Sequence, residues 1–267
     1  MSLGIVVKAP EGIVLAAESR LTLMGENRAT GERVQVSFDN ATKLLSFGKP
    51  GQLRPVGAVT YGQAAIGART AASFVPEFES QIADEPLTTD VFAQRLSDFY
   101  LAQWRTVMPA DYSGPNMTFV VAGYDPPAPY GRVFSIDIPG HPSPQEANPG
   151  DENFGITWGG QSDFMDRLLR GYDRRVPEIV ASTLRLTPDK KKLMEEAIAQ
   201  VQMPLPLPAM PLQDCVDLAV FFIRTTITAQ SLTVGVRGVG GPIDVATITR
   251  SAGLEFIRRK RVRVDER

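Results

Sequence analysis

The chain has 267 residues, of which 43% are hydrophobic and 22% are charged, and its net charge is −2 at pH 7. This composition is ordinary for a globular protein that buries a large core. The near-neutral charge gives no general attraction to nucleic acid. The sequence contains no run of eighteen apolar residues, so no membrane span is predicted, and no secretory leader is recognised. We therefore expect a cytoplasmic protein with no nucleic-acid and no membrane partner.

Two residue types that often carry chemistry occur only once each. The single cysteine, Cys215, lies in an apolar helical stretch, so an internal disulfide and a cysteine-based zinc cluster are excluded and a buried structural thiol is predicted. The single histidine, His141, lies in a proline-rich segment that reads as a loop. Neither a Ser/His/Asp triad nor a histidine metal site is expected, and the sequence predicts no metal and no cofactor.

The first sixty residues are predicted to form four strands. Leu3–Lys8 and Ile13–Arg20 are β-branched runs that flank a Pro/Gly turn, which is typical of a hairpin. Leu21–Asn40 is polar and contains glycine, and it is expected to connect the hairpin to the next strands. Thr42–Phe47 and Val56–Tyr61 are the third and fourth predicted strands.

Two helices are predicted next, from apolar residues at helical spacing. The first covers Ala64–Ile82, in which Pro76 is expected to cause a kink, and the second runs from Asp90 to Met108 after a Thr-Thr cap. The inner face of the second helix is expected to hold these residues: Val91, Phe92, Leu96, Phe99, Tyr100 and Trp104.

The second half of the chain returns to strands, then helices, then strands. Strands are predicted at 116–124, 131–138, 154–158, 243–249 and 254–257, with a polar loop after residue 138. Helices are predicted after residue 162, at 188–201 and at 212–230, with a proline-rich linker at 203–211. This order predicts an α+β fold with two stacked sheets covered by helices. We expect a single domain, 1–267, with a solvated basic tail from about residue 258.

Ser2 stands immediately before the opening hairpin and is a candidate nucleophile. An N-terminal serine held by a strand combines a hydroxyl nucleophile with an amine that serves as its base. With no propeptide expected, exposure of this amine depends on the removal of Met1. The ordinary pKa of such an amine is about 8, so it accepts a proton near neutral pH.

Four segments, in order, resemble signatures of proteasome β-type subunits. Ala16–Thr22 resembles the Ala-Ala-Asp-Ser-Arg-x-Thr signature, and Thr42–Leu44 resembles the segment with the conserved lysine of that family. Val59–Gly62 and Gly240–Ala246 resemble two later turns. The resemblance implies a four-layer αββα sandwich and an N-terminal nucleophile hydrolase of the threonine-type peptidase family. It also implies a peptide or unfolded-protein substrate, proteolysis without a cofactor, and a homo-oligomeric ring.

The resemblance assigns roles to five residues. Ser2 aligns with the nucleophile, Glu18 with the acidic residue sixteen positions later, and Lys43 with the catalytic lysine. Gly62 is expected to donate its backbone N–H to an oxyanion hole. Thr22 is expected to line the substrate groove and to pair with a peptide backbone.

The sequence also departs from the family pattern. Serine replaces threonine at the nucleophile, and about nine extra residues precede Lys43. The polar pair that supports the terminal amine in the family falls near Val236 and Val239, and the family's Gly-Ser-Gly turn reads Gly159–Gly160–Gln161, which leaves Ser162 as a shifted hydroxyl. These departures keep open an alternative, a catalytically inactive ring-forming structural subunit.

The glycine-rich segment Gly235–Gly241 has a second reading as a phosphate-binding loop. A strand follows it and no Gly-Lys-Ser/Thr sequence is present, so the helix N-terminus that binds phosphate is missing. A connection between a helix and a strand is the favoured interpretation.

Overall fold

The structure is a computed structural model that describes residues 2–26, 29–49, 51–82, 86–235 and 237–262. Its strands are β1 (Leu3–Ala9), β2 (Gly12–Glu18), β3 (Leu21–Glu26), β4 (Arg33–Phe38), β5 (Leu44–Lys49), β6 (Gln52–Gly62), β7 (Ala65–Ile66), β8 (Arg69–Thr70), β9 (Met117–Gly123), β10 (Arg132–Ile138), β11 (His141–Glu146), β12 (Gly155–Gly160), β13 (Ile243–Thr249) and β14 (Gly253–Arg258). Its α-helices are α1 (Val75–Ile82), α2 (Thr89–Val107), α3 (Asp163–Arg170), α4 (Val176–Thr183), α5 (Pro188–Ile198) and α6 (Leu212–Leu232).

Two five-stranded antiparallel sheets form the centre of the molecule. The first has the strand order β12-β1-β2-β13-β14 and the second has the order β11-β10-β9-β6-β5. Helices α3 and α6 pack on the outer face of the first sheet, and α1 and α2 pack on the outer face of the second. A third apolar cluster lies between the sheets. The predicted four-layer αββα sandwich is therefore confirmed.

The opening hairpin lies at the centre of the first sheet, as its composition predicts. Every residue of β1 and β2 is buried. Alternate residues face the helices, as Ile5 does, or the second sheet, as Val6 does. A strand covered on both faces carries a continuous apolar run rather than an alternating pattern, which explains the sequence of this hairpin. Its position fixes Ser2 and Glu18 at one end of the sandwich.

The expected helix over 64–82 is wrong for its first half. Residues 65–70 form the short strands β7 and β8, a 3-10 helix covers Ala71–Phe74, and α1 begins only at Val75. Pro76 therefore lies in the first turn of α1, where its fixed φ suits the helix and its missing N–H costs nothing. In α2, the expected inner face is correct except for Val91, which is 42% exposed.

Two segments expected to be connections are strands. Leu21–Asn40 contains the hairpin β3–β4, because apolar residues alternate with polar ones within a polar composition. The loop expected after residue 138 contains β11, so His141 begins an edge strand rather than lying in a loop. The sequence analysis missed β11 because Pro, Ser and charged residues interrupt it, and it missed β3–β4 because the segment around their alternating apolar residues is polar.

Helix α6 is the one helix in the described ranges whose length and mean hydropathy, 1.2, suffice to cross a membrane. In the fold it lies on β1 and β2 as a core helix, with Cys215, Ala219 and Phe222 buried against them. Cys215 is a free, buried thiol as predicted, and burial raises its pKa to about 11.

The predicted basic tail is partly attached to the sheet. The backbone N–H of Lys260 donates to Asp244 Oδ1 at 2.7 Å, and its ammonium binds the same carboxylate. Residues 263–267 of the predicted tail lie outside the described residues.

Candidate active site

Glu18, the last residue of β2, is fully buried and organises the hydrogen bonds around Ser2. Its carboxylate accepts backbone N–H bonds from Leu3 at 3.2 Å, from Arg20 at 2.6 Å and from Gly240 at 3.0 Å. The ammonium of Lys43 binds Oε1 of the same carboxylate. A buried carboxylate requires such donors, because an unpaired charge in the protein interior is strongly unfavourable. Glu18 thus joins β1, β2 and the glycine-rich loop at one point.

Lys43 lies directly before β5 and is also buried. Its Nζ donates to Glu18 and to the carbonyl oxygen of Arg20. Burial lowers the pKa of Lys43, the attraction of Glu18 opposes this effect, and the nearby charges of Lys260 and Arg20 reinforce it. The ammonium is therefore held in a fixed position while its proton is easier to remove than that of an exposed lysine.

Ser2 precedes β1 and is 6% exposed. Its carbonyl oxygen accepts a hydrogen bond of 2.6 Å from the N–H of Gln161, at the end of β12. Gly160 has a φ of 95°, and a Cβ at this position would overlap the carbonyl oxygen of Ser2. The glycine predicted to belong to a Gly-Ser-Gly-like turn is thus required for the close approach of β12 to Ser2.

A small cavity of about 20 Å³ lies beside Ser2, and Lys43, Thr60, Gly62 and Leu21 are among its lining residues. The structure thus brings together four of the five predicted site residues, since Glu18 supports this cavity through Lys43. Hydrogen bonds of β6 alternate between its two neighbours, and the N–H of Thr60 donates to the carbonyl oxygen of Lys43 at 2.9 Å. Two residues later, the N–H of Gly62 points to the same side, away from β9 and toward Lys43 and the cavity.

The fifth predicted residue, Thr22, is not among the residues that line the cavity. Thr22 lies on β3, and its hydroxyl is 3.4 Å from the hydroxyl of Ser37 on β4. Successive strand residues point to opposite faces, so Leu21, which lines the cavity, faces the other way. Among the β3 side chains that the structure describes, Leu21 is the one that lines the cavity.

The base of the β3–β4 hairpin is fixed close to Glu18. Arg20 forms two hydrogen bonds with the carboxylate of Asp39, at 2.6 and 2.8 Å. The N–H of Ala41 donates to the carbonyl of Ser19 at 2.9 Å. A Cβ at Gly240 would lie 2.6 Å from the Arg20 guanidinium carbon, so a side chain there would require the guanidinium, which is bonded to Asp39, to move. The extra residues before Lys43 therefore extend outward without separating Lys43 from Glu18.

Within the described residues, neither Val239 nor Ser162 supplies a hydrogen bond to the Ser2 amine. Val239 is buried and apolar, and Val236 lies outside the described residues. The hydroxyl of Ser162 donates to Asp166 Oδ2 at 2.7 Å, and Asp166 Oδ1 accepts from the indole N–H of Trp158 at 3.1 Å. Ser162 is thus committed to a neighbouring carboxylate.

Two glutamines that the sequence analysis missed connect the two sides of the site. Gln230 Nε2, on α6, donates to Gln161 Oε1 at 2.7 Å, and Gln230 Oε1 accepts from the N–H of Val239 at 3.0 Å. Gln161 holds the carbonyl of Ser2, and Gly240, next to Val239, holds Glu18. Gln230 could have been found from the sequence, because it is a polar residue on the apolar face of α6, three residues after Ile227.

The glycine-rich loop closes on β2. Gly240 donates to Glu18 and accepts from the N–H of Ser19 at 3.0 Å. This backbone pairing agrees with the interpretation of the loop as a connection between a helix and a strand. Across the described ranges, no group of three or more His, Cys, Asp or Glu residues is placed to hold a metal ion.

No family model and no curated protein matches the chain. Solved structures of Anbu, however, match almost its whole length. The fold is that of a proteasome-like β subunit. The helical assembly of the Anbu complex from Pseudomonas aeruginosa has a TM-score of 0.59 and 15% identity, covering 99% of this chain and 88% of its own.

Two further Anbu structures match over similar lengths. The Anbu (Gly-1) mutant from Hyphomicrobium sp. strain MC1 has a TM-score of 0.55 and 16% identity, covering 99% of this chain and 89% of its own. Anbu (ancestral beta-subunit) from Yersinia bercovieri has a TM-score of 0.53 and 17% identity, covering 96% and 86%. These likenesses show the fold, and the roles of individual residues are argued from their geometry.

Proposed function

We propose that the chain is a proteasome-like subunit that hydrolyses peptide bonds, with Ser2 as the nucleophile once Met1 has been removed. One observation carries the proposal: Ser2, Lys43 and Gly62 line one small cavity, and the buried carboxylate of Glu18 holds Lys43 there. Nucleophile, cation and oxyanion donor then lie in one water-poor recess, the arrangement that acyl transfer requires.

In the proposed reaction the free amine of Ser2 accepts the proton of its own hydroxyl. The Oγ attacks the scissile carbonyl carbon, the C–O bond forms, and the negative charge of the tetrahedral intermediate moves to the former carbonyl oxygen. The N–H of Gly62 stabilises this oxyanion, a contribution of roughly 3 kcal/mol for one donor. The C–N bond then breaks, the amine of Ser2 returns its proton to the leaving amine, and water hydrolyses the acyl-serine ester.

Lys43 and Glu18 have supporting roles in this proposal. The ammonium of Lys43 favours the neutral form of the adjacent amine and lowers the energy of the developing alkoxide. Without Glu18, a lysine as buried as Lys43 would tend to lose its proton, so the carboxylate preserves the positive charge. A contact of Thr22 with the substrate backbone stays a prediction, and it requires the peptide to reach the face of β3 opposite Leu21.

The alternative is an inactive subunit that forms part of a ring or helix. It is favoured by Val239, which supplies no polar side chain where the family supports the terminal amine. The Anbu complex from Pseudomonas aeruginosa forms a helical assembly, and we extend homo-oligomer formation to this chain under both alternatives.

The deciding experiment combines intact-mass measurement with peptidase assays. We expect a mass without Met1 and at least about a thousandfold loss of turnover in Ser2→Ala, with partial activity in Ser2→Thr. Ser143→Ala, at an exposed serine on β11, is the matched control and is expected to retain full turnover. Unchanged turnover in Ser2→Ala, or full turnover with Met1 retained, would exclude Ser2 as the nucleophile.

Light scattering tests the oligomer that both alternatives require. An oligomer that keeps Met1 and lacks turnover would establish the inactive structural subunit. A monomer under all conditions would contradict both.

A further inference from the structure

The outer edge of β12 presents unpaired backbone groups. β12 is the edge strand of the first sheet and pairs with β1 alone among the described strands. The bond from Gln161 N–H to the carbonyl of Ser2 sets the alternation of this ladder. Residues 155, 157 and 159 consequently bond to β1, whereas the N–H and C=O groups of Ile156 and Trp158 point outward. Four backbone groups in a row are thus available to a further strand.

A cavity of about 340 Å³ lies along this edge. Five consecutive residues, Ile156–Gly160, line it. Side chains of a strand alternate between two faces, so a cavity lined by consecutive residues faces the backbone edge itself. Asn148 also lines this cavity, and Arg170 and Arg174 line the side formed by α3 and the segment after it.

A second cavity continues the first on the helical side. It has a volume of about 430 Å³ and shares Ile156, Trp158 and Arg170 with the first. Its far wall is apolar and includes Leu169, Leu205 and Leu207. Both volumes lie within the range of sites that bind small ligands or peptide side chains.

The side chains along this edge present a net positive charge to a ligand. Asp166 is buried and compensated internally, by Ser162, by Trp158 and by Arg170 Nε at 3.4 Å. The guanidinium of Arg170 lies 5.6 Å from the centre of the Trp158 ring. Arg174 adds an exposed positive charge beside this neutral pair.

We infer that this edge binds an extended, acidic peptide segment of a second protein, which adds a strand to β12. The backbone of the segment pairs with Ile156 and Trp158. A carboxylate side chain meets Arg170 and Arg174, and an apolar side chain two residues away enters the second cavity beside Leu205. The site is separate from the cavity at Ser2, so the inference stands independently of the proposed hydrolysis.

The positive charge along this edge argues against β12 of a second copy of the chain as the occupant. Pairing of β12 with β12 of a second copy about a two-fold axis would bring the two sets of Arg170 and Arg174 together. Like charges placed opposite each other oppose such pairing. An acidic strand supplies a counter-charge to Arg174 beside the Arg170–Asp166 pair and bonds to the unpaired backbone of β12.

Binding is measured with a defined probe and one fluorescent reporter. The chain has two tryptophans, so Trp104→Phe leaves Trp158 as the sole indole. The probe is acetyl-Ser-Glu-Thr-Leu-Thr-Leu-amide, whose glutamate and leucines share one face when the peptide is extended. We expect a saturable change of Trp158 fluorescence with the probe below ~1 mM. Arg174→Glu is expected to weaken binding about tenfold.

Three controls test the separate parts of the inference. In two further probes, N-methyl groups at every second residue block the N–H groups along one edge or along the other edge of the extended peptide. We expect the probe that is blocked on the edge facing β12 to lose binding and the other probe to keep it. Arg105→Glu, on α2, repeats the charge change on the far side of the sandwich and is expected to bind normally. Leu205→Asn is expected to weaken binding of the leucine-containing probe. An unchanged melting temperature of this variant is the evidence that its fold is intact.

Four outcomes would overturn the inference. They are the absence of saturation, equal binding of a probe with lysine in place of glutamate, equal binding of both N-methylated probes, and a fluorescence change that coincides with growth of the oligomer in light scattering. The last outcome would assign the edge to a second copy of the chain.

Discussion

The two recesses at either side of β1 are built in opposite ways. The cavity at Ser2 is small, and the carboxylate of Glu18, which supports it through Lys43, is occupied by three backbone N–H groups and an ammonium. The cavity along β12 is large and open, and the backbone of Ile156 and Trp158 is left unpaired there. A site for chemistry gains from groups fixed before the substrate arrives, whereas a site for a strand must leave its pairing groups free. If the Ser2 recess is rigidly interconnected, as this comparison requires, substitutions within it affect stability and turnover together.

The largest effect is expected from Glu18→Ala. The change removes the counter-charge of buried Lys43 and the acceptor of three N–H groups. We expect a loss of about 3–5 kcal/mol in the free energy of unfolding, because one partner of a buried pair has been removed. Urea denaturation measures this, and Glu18→Gln serves as the variant of matched shape. A loss below about 1 kcal/mol would show that the carboxylate does not organise the site.

Two glycines with nearly equal positive φ separate the cost of backbone conformation from the cost of a steric overlap. Gly62 has a φ of 85° and its Cβ would overlap the carbonyl oxygen of Asn116, whereas Gly51 has a φ of 82° and nothing lies within 4 Å of its Cβ. We expect Gly51→Ala to cost about 1 kcal/mol in unfolding free energy, since only the backbone conformation is unfavourable. Gly62→Ala is expected to cost more and to abolish turnover. Equal costs in urea denaturation would contradict the close approach at Gly62.

Gln230→Leu tests the link between the two sides of the Ser2 recess. The change leaves the N–H of Val239 without its acceptor and releases the side chain of Gln161. We expect a loss of about 1–3 kcal/mol in unfolding free energy. If the proposed hydrolysis is correct, kcat falls while KM stays near its original value, because the orientation of Ser2 and Glu18 is disturbed and the binding surface is not. A fall in stability with an unchanged kcat would restrict Gln230 to a purely structural role.

The lowered pKa of Lys43 gives a smaller, pH-dependent effect. Between this lowered pKa and the ordinary value of 10.5, the unfolded chain binds more protons than the folded one, so the contribution of Lys43 to stability rises with pH. Burial raises the pKa values of Tyr61 and Tyr100, which acts in the opposite direction at alkaline pH. The difference between wild type and Lys43→Met isolates the lysine. Parallel stability curves for the two proteins between pH 8 and about 10.5 would show that its pKa is not lowered.

The sequence predicted the parts of the molecule that depend on local pattern. The opening hairpin is visible as two β-branched runs around a turn, and its buried position explains their continuous apolar character. The proximity of Ser2, Lys43 and Gly62 followed from the family resemblance, since no local pattern places three separate strands side by side. The hairpin β3–β4 remained hidden because its solvent-exposed position permits a polar composition, which resembles that of a loop.

The parts that escaped prediction depend on distant partners. Gln161 and Gln230 are 69 residues apart and meet only because β12 and α6 converge on Ser2. The free edge of β12 depends on the strand order of the sheet, which the sequence of Gly155–Gly160 does not specify. Both features, the hydrogen bond between two side chains and the free edge of a sheet, are properties of the assembled fold. Neither produces a periodic pattern in the sequence.

The smallest effect is expected from Ser19→Ala. This substitution tests whether the hydroxyl of Ser19 belongs to the hydrogen-bond network around Glu18. In the described part of the chain, the hydroxyl of Ser19 is the buried side-chain polar atom without a hydrogen-bond partner. Its backbone is fixed by Gly240 and Ala41, so the side chain contributes no bond that alanine would lose. Because an unpaired buried hydroxyl carries a desolvation cost, we expect Ser19→Ala to leave the unfolding free energy unchanged or to raise it by up to about 1 kcal/mol. A loss of more than about 1 kcal/mol in urea denaturation would show that this hydroxyl has a partner, a bound water molecule included, and that the network around Glu18 extends beyond the protein groups.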